Sequence, residues 1–171
     1  MKTLASLCFV AFMAVVATSS SLKGDLTQAE CPPGFPIPRV DSCYFFSPTN
    51  HRHSWGNAHV SCRQKGGFLA HSRTSEEEAF LEDYFRNNYD VEGNDFNWWV
   101  GASDIDNEGT WLWEEGRELV VYNDWLPEEP SNDKGEDCMI FRKKGAGSEL
   151  IFGWDDRQCS EQNLFICEIK V

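Results

Sequence analysis

The chain has 171 residues, 28 acidic against 15 basic, for a formal net charge of −13. That balance argues against nucleic acid and anionic membrane as partners, since both would be repelled. It suits plain solubility, and it suits a cation site only if carboxylates converge.

Lys2 is followed by an apolar run over residues 4–16 and then by Ala17, Thr18, Ser19, Ser20 and Ser21. Charge, apolar stretch and small residues in that order predict a secretory signal peptide over 1–21, cut between Ala17 and Ser21. A buried N-terminal helix accounts less well for the three features together. The run is too short for a membrane span and no later segment is apolar enough, so the expected location is extracellular. Residues 22–30 form a short polar lead with no coiled-coil neck. The remainder, 31–171, has the length of one domain with a real core.

Cys8 leaves with the signal, and Cys31, Cys43, Cys62, Cys138, Cys159 and Cys167 remain. Six cysteines in a secreted chain predict three disulfides, and spacing leaves 15 connectivities open. Zinc is disfavoured because no Cys-x-x-Cys pair and no matching histidine spacing occurs. With every cysteine paired internally, any homo-oligomer would be non-covalent.

Residues 31–38 are proline-rich and read as an irregular or hairpin entry to a strand at 43–47. A helix is expected over 54–66: Ser54 can cap it, Trp55, Ala58 and Cys62 share a face, and Gly66 or Gly67 ends it. A second is expected over 75–87, where Ser75 and Glu78 read as a capping box and Phe80, Leu81, Tyr84 and Phe85 form an apolar face. The Glu76-Glu77-Glu78 run reads as favourable charge at the helix start. Strands follow at 97–102 and 110–113, then a hairpin of 138–141 and 150–154 around Gly145-Ala146-Gly147, and a last strand at 165–169. Two helices followed by many short strands indicate an α+β fold. Residues 119–137 hold little regular structure, and long loops of this kind in compact domains are usually functional.

Calcium takes six to eight oxygen ligands. Four acidic segments could supply them: Trp125-Leu126-Pro127-Glu128-Glu129-Pro130-Ser131-Asn132, Gly135-Glu136-Asp137-Cys138, Trp154-Asp155-Asp156, and residues 104–108. An enzyme is not expected. The adjacent pairs Glu114-Glu115 and Glu128-Glu129 diverge and make poor acid/base sets, and no nucleophile elbow, phosphate loop or triad signature occurs. His51, His53, His59 and His71 lack metal spacing. Trp98, Trp99, Trp111, Trp113 and Trp154 lie in strand-like contexts and read as core.

Trp99-Val100-Gly101-Ala102, Trp125-x-Pro-x-Glu-Pro-Ser, Glu136-Asp137-Cys138, Trp154-Asp155-Asp156 and the final Cys167 resemble, in their order, the C-type lectin domain family. The resemblance spans about Cys31 to Glu168 and implies the bridges Cys62–Cys167 and Cys138–Cys159. The extra pair Cys31–Cys43 is similar to the long form of the domain. It implies a sugar-binding calcium site of Glu129, Ser131, Glu136, Asp155 and Asp156, with a cis bond before Pro130. It implies a supporting calcium site of Asp104, Glu108, Asn132 and Asp137. In such domains calcium binds two neighbouring sugar hydroxyls, which also bond to the metal's protein ligands. A tripeptide that begins with Glu resembles members selecting mannose, glucose, fucose or N-acetylglucosamine. The implied function is calcium-dependent lectin activity toward glycans on cell or microbial surfaces, as in innate pattern recognition. Two departures stand out: Ser131 replaces an Asn, and Asp155 replaces an Asn and only accepts hydrogen bonds when ionised. A lectin-like fold that binds a protein, mineral surface or ice is the competing reading.

Overall fold

The computed structural model describes residues 30–89, 96–133, 135–145 and 150–171. The expected signal peptide (1–21), most of the expected polar lead and most of the Gly145-Ala146-Gly147 turn lie outside the described residues. Among these residues, nine strands and two helices form an α+β arrangement, with both helices in the first half of the chain order.

Strands β1 (Ile37–Arg39) and β2 (Ser42–Phe46) form an antiparallel hairpin that opens the domain. Helix α1 (Trp55–Gln64) begins where expected, with the Ser54 side chain accepting from the Asn57 backbone N–H at 3.4 Å. Trp55, Ala58 and Cys62 are its buried stripe. Lys65 ends it, and Gly66 follows with φ +90°, a left-handed conformation that costs glycine little.

Helix α2 (Ser75–Asn88) has a different cap from the one expected. Thr74 precedes the first helical residue, and its hydroxyl accepts from Glu77 N at 3.2 Å. Glu77 reaches back to accept from Arg73 N at 2.7 Å. Ser75 is already helical and cannot act as the cap. Glu78 falls on the buried stripe with Leu81 and Phe85, at the i, i+3, i+7 spacing of one helix face.

Strand β3 (Phe68–Leu69) joins β9 (Leu164–Lys170), which also pairs antiparallel with β2. β9 runs parallel to β4 (Phe96–Ser103) at Trp98 and Trp99. Beyond β4 lie β5 (Leu112–Trp113) and β6 (Glu118–Leu119) on one side and β7 (Cys138–Lys144) on the other. The expected strand at 110–113 is thus reduced to its last two residues. β7 and β8 (Ile151–Arg157) form the expected hairpin, longer than the apolar residues suggested.

Two apolar clusters flank the sheet. One holds Phe85, Trp98, Trp113, Phe141 and Trp154; the other holds Trp55, Leu69, Trp99, Phe165 and the Cys62 and Cys167 sulfurs. All five tryptophans read as core are buried. The bridges are Cys31–Cys43, Cys62–Cys167 and Cys138–Cys159. Cys62–Cys167 ties α1 to β9, and Cys138–Cys159 joins the start of β7 to the segment after β8.

A candidate calcium site on the long loop

After β6 the chain passes beside β8 at residues 124–126. The Trp154 N–H donates to Asp124 O at 2.8 Å, and Leu126 N–H donates to Trp154 O at 2.9 Å. This short parallel bridge fixes the segment beside the strand. Gly153 permits the approach, since a Cβ there would meet Asp124 O at 2.8 Å and Leu126 Cδ2 at 3.0 Å. The chain then turns sharply. Glu129 N–H donates to Leu126 O at 3.0 Å, the Glu129–Pro130 bond is cis, and Glu128 and Asn132 have φ of 75° and 49°.

Asp156 holds this turn from the end of β8. Its Oδ1 accepts from Ser131 N and its Oδ2 from Asn132 N, both at 2.8 Å. Glu129, Asp155 and Asp156 each place one carboxylate oxygen within 4.8 Å of the others. Both aspartates are buried. Glu129 Oε2 and Asp155 Oδ1 are buried with no hydrogen-bond partner. Burial, then the charges of Asp155 and Asp156, push the Glu129 carboxyl up to about 7. Buried carboxylate oxygens facing one another require a proton or a cation. A hard, oxygen-only donor set of this kind fits calcium and does not fit a softer metal.

Ser131 and Glu136 stand beside this trio. The Ser131 hydroxyl donates to Glu136 Oε2 at 2.9 Å, and Glu136 Oε1 accepts from Arg157 Nη1 at 3.5 Å. Arg142 Nη1 and Arg157 Nη2 both donate to Asp155 Oδ2, at 2.5 and 2.8 Å. Neither arginine belongs to the sequence motifs that predict the site. Arg157 follows Asp156 directly, so its place beside the motif was a usable signal. Arg142 carries no local signal; only the β7–β8 register, with Arg142 opposite Gly153 and Ile140 opposite Asp155, brings it there.

The supporting residues gather less tightly. Asp104, just after β4, is buried; its Oδ2 accepts from Gly109 N at 2.8 Å and its Oδ1 has no partner. Asp104 N donates to Asp137 O at 3.2 Å. Burial raises the Asp104 carboxyl, and the Asp137 and Asp156 charges add to it. Glu108 is likewise raised, by desolvation and then by Asp104, Asp137 and Asp156. These carboxylates therefore feel one another. Among the described residues, however, only Glu129, Asp155 and Asp156 form a carboxylate group close enough to grip one ion. Asn132 enters through its backbone N–H to Asp156. A cleft lined by Trp111, Tyr122 and Trp125 reaches the turn at Pro130.

A two-helix domain with this sheet, this disulfide frame and a loop bridged to β8 has the features of a lectin-type domain. The family model "Lectin C-type domain" matches residues 51–169, and the chain belongs to that family. Among curated relatives, it is 36% identical to perlucin from Haliotis laevigata over 138 residues, covering 81% of this chain and 82% of perlucin. Among solved structures, the fold is similar to the cow CD23 carbohydrate-recognition domain determined in the presence of GlcNAc2Man3 oligosaccharide. The TM-score is 0.64 and the identity 28%, over 83% of this chain and 97% of that one. It is also similar to a calcium-independent type II antifreeze protein, with TM-score 0.64 and 26% identity over 82% and 95% of the two chains. No helix among the described residues is long and apolar enough to cross a membrane.

Proposed function

We propose that residues 31–171 form a secreted lectin domain that binds glycans of the mannose, glucose or N-acetylglucosamine class through calcium. The convergence of Glu129, Asp155 and Asp156, with two of their oxygens buried and unpartnered, carries this reading. Glu129, Ser131, Glu136, Asp155 and Asp156 hold the principal ion. Asp104, Glu108, Asn132 and Asp137 hold a supporting one. Bound calcium offers open coordination positions to two neighbouring sugar hydroxyls. Glu129 and Glu136 accept hydrogen bonds from those hydroxyls. Asp156 keeps the turn closed through the Ser131 and Asn132 amides, so the acceptors are aimed before a sugar arrives. The oligosaccharide present with the cow CD23 domain supports a glycan as ligand. Recognition of glycans on microbial surfaces, as in innate immunity, would need multivalency, since each chain offers one weak sugar site.

The competing reading is a surface binder that ignores sugar. It draws on Ser131 and Asp155, which replace amides, and on the calcium-independent antifreeze neighbour. Calcium titration with thermal melting tests the metal. The parent chain should melt higher as calcium rises, by the linkage between binding and folding. Asp156→Ala should abolish that rise and, with two backbone N–H groups left unpaired, cost about 1–3 kcal/mol without calcium. Glu129→Gln, which keeps the turn, should lose the rise without that cost. A calcium-dependent melting shift preserved in both variants would refute the ligand set. Retention on a mannose column that EDTA releases would support the sugar; retention on none of the sugars would favour the surface binder.

A further inference from the structure

The proposed sugar site is short of hydrogen-bond donors. Ionised Glu129, Glu136, Asp155 and Asp156 can only accept. The one hydroxyl among the five residues, on Ser131, already donates to Glu136 at 2.9 Å. A sugar hydroxyl that donates its proton to a carboxylate and gives one lone pair to a metal still has a second lone pair to satisfy. Five acidic or spent side chains offer it nothing.

We propose that Arg157 supplies this missing donor and is the specificity-determining residue of the site; this rests on the sugar-binding reading above. Arg157 lies two residues beyond Asp155 on β8, so both side chains leave the same face of the strand. Its guanidinium bridges two of the five proposed sugar contacts. Nη2 donates to Asp155 Oδ2 at 2.8 Å and Nη1 to Glu136 Oε1 at 3.5 Å. Asp155 is fully buried at its side chain, whereas the Arg157 side chain is 23% exposed, so the pair meets solvent through Arg157. A guanidinium carries five N–H groups in a fixed plane, and these two bonds use two of them.

The arrangement also explains how Asp155 can stand where an amide is usual. Its Oδ2 is claimed by Arg157 and, from β7, by Arg142, while its buried Oδ1 has no partner. One oxygen is thus neutralised by cations and the other is left for a metal. The amide of the usual Asn combines a ligand oxygen and a donor N–H in one side chain. Here Asp155 provides the oxygen and Arg157 the donor, split across two neighbours on one face.

The test separates sugar from metal. Arg157→Met and Arg157→Gln are compared with the parent for calcium affinity by titration calorimetry without sugar, for monosaccharide affinity at saturating calcium, and for melting without calcium. Arg157→Met should lose about tenfold or more in sugar affinity, since hydrogen bonds involving a charged group contribute about 1.5–3 kcal/mol. Its calcium affinity should stay within about threefold, which is under ~1 kcal/mol. Arg157→Gln, which keeps an N–H donor, should recover part of the sugar affinity. In an Asp155→Asn background, where an amide donor returns, Arg157→Met should matter less, giving a coupling energy in the double-mutant cycle. Sugar affinity unchanged in Arg157→Met would overturn the proposal. So would parallel losses of calcium and sugar affinity, which would reduce Arg157 to holding Asp155 in place. A parent chain that binds calcium but no sugar would instead remove the lectin reading, and the proposal with it.

Discussion

Trp154 joins the site to the core through two sets of atoms. Its backbone brackets the loop at Asp124 and Leu126, and its indole N–H donates to Glu78 Oε2 at 3.0 Å. The Ser72 hydroxyl donates to the same oxygen. Burial, with the Asp124 carboxylate adding to it, raises Glu78 from 4.5 to about 8. A carboxyl whose folded value lies above its unfolded value contributes stability below the unfolded value, and that contribution is lost as pH rises through the folded one. The calcium-free protein should therefore lose melting temperature between about pH 4.5 and 8 through this group. Glu78→Gln keeps acceptors for Ser72 and Trp154 and offers an N–H to Asp124. It should melt within a few degrees of the parent at pH 5 and flatten the decline toward pH 8, by roughly 1–3 kcal/mol. A decline of equal steepness in both proteins would show that Glu78 is not its source. The Glu76-Glu77-Glu78 run reads from sequence as charge at a helix start. For Glu76 and Glu77 that holds, but only packing of α2 on Trp154 reveals that Glu78 points inward.

At the scale of elements, the loop and β8 depend on each other. The two backbone bonds about Trp154 need the strand and loop within van der Waals contact, and Gly153 is the residue that allows it. Gly153→Ala places a methyl group 2.8 Å from Asp124 O, closer than side-chain carbons approach backbone. Overpacking of this kind costs about 1–3 kcal/mol. The loop should lift, calcium affinity should fall, and hydrogen exchange at the Leu126 and Trp154 amides should quicken while amides in α1 stay protected. Unchanged exchange at both amides would show that the loop docks without this contact. The helices were legible in the chain because caps and apolar spacing are local signals, as at Ser54 with Trp55, Ala58 and Cys62. The cap of α2 falls on Thr74, one residue before the expected Ser75, since both residue types are competent caps. The expected strand 110–113 is shorter in the fold: Trp111 and Trp113 are buried, yet only Leu112 and Trp113 find ladder partners on β4 and β6.

Over the whole molecule, Cys62–Cys167 spans 105 residues and ties α1 to the last strand. Removing a crosslink over so long a loop costs about 2–5 kcal/mol. The Cys62→Ser/Cys167→Ser double variant should melt well below the parent in both calcium-free and calcium-loaded states. Its calcium-induced rise should survive wherever it still folds, because the bridge lies in the cluster around Trp55 and Trp99, apart from the carboxylates. A variant that melts with the parent would show that packing of β9 alone closes the domain.

The six cysteines of residues 31–171, the two amphipathic helices and the ordered tryptophan, proline and acidic motifs are all legible in the chain. Each is a matter of residue type at short spacing, and together they resemble one family. Folding alone decided which acidic residues meet. Glu129 and Asp155 are 26 residues apart by number, and they face each other because Trp154 bonds the loop and the Glu129–Pro130 turn is closed by Asp156. Folding also turned Glu136 toward Ser131 and Arg157 and set two arginines on Asp155. Charge sign is a property of a residue. Convergence of charge belongs to a register and a loop path, which no short stretch of sequence specifies.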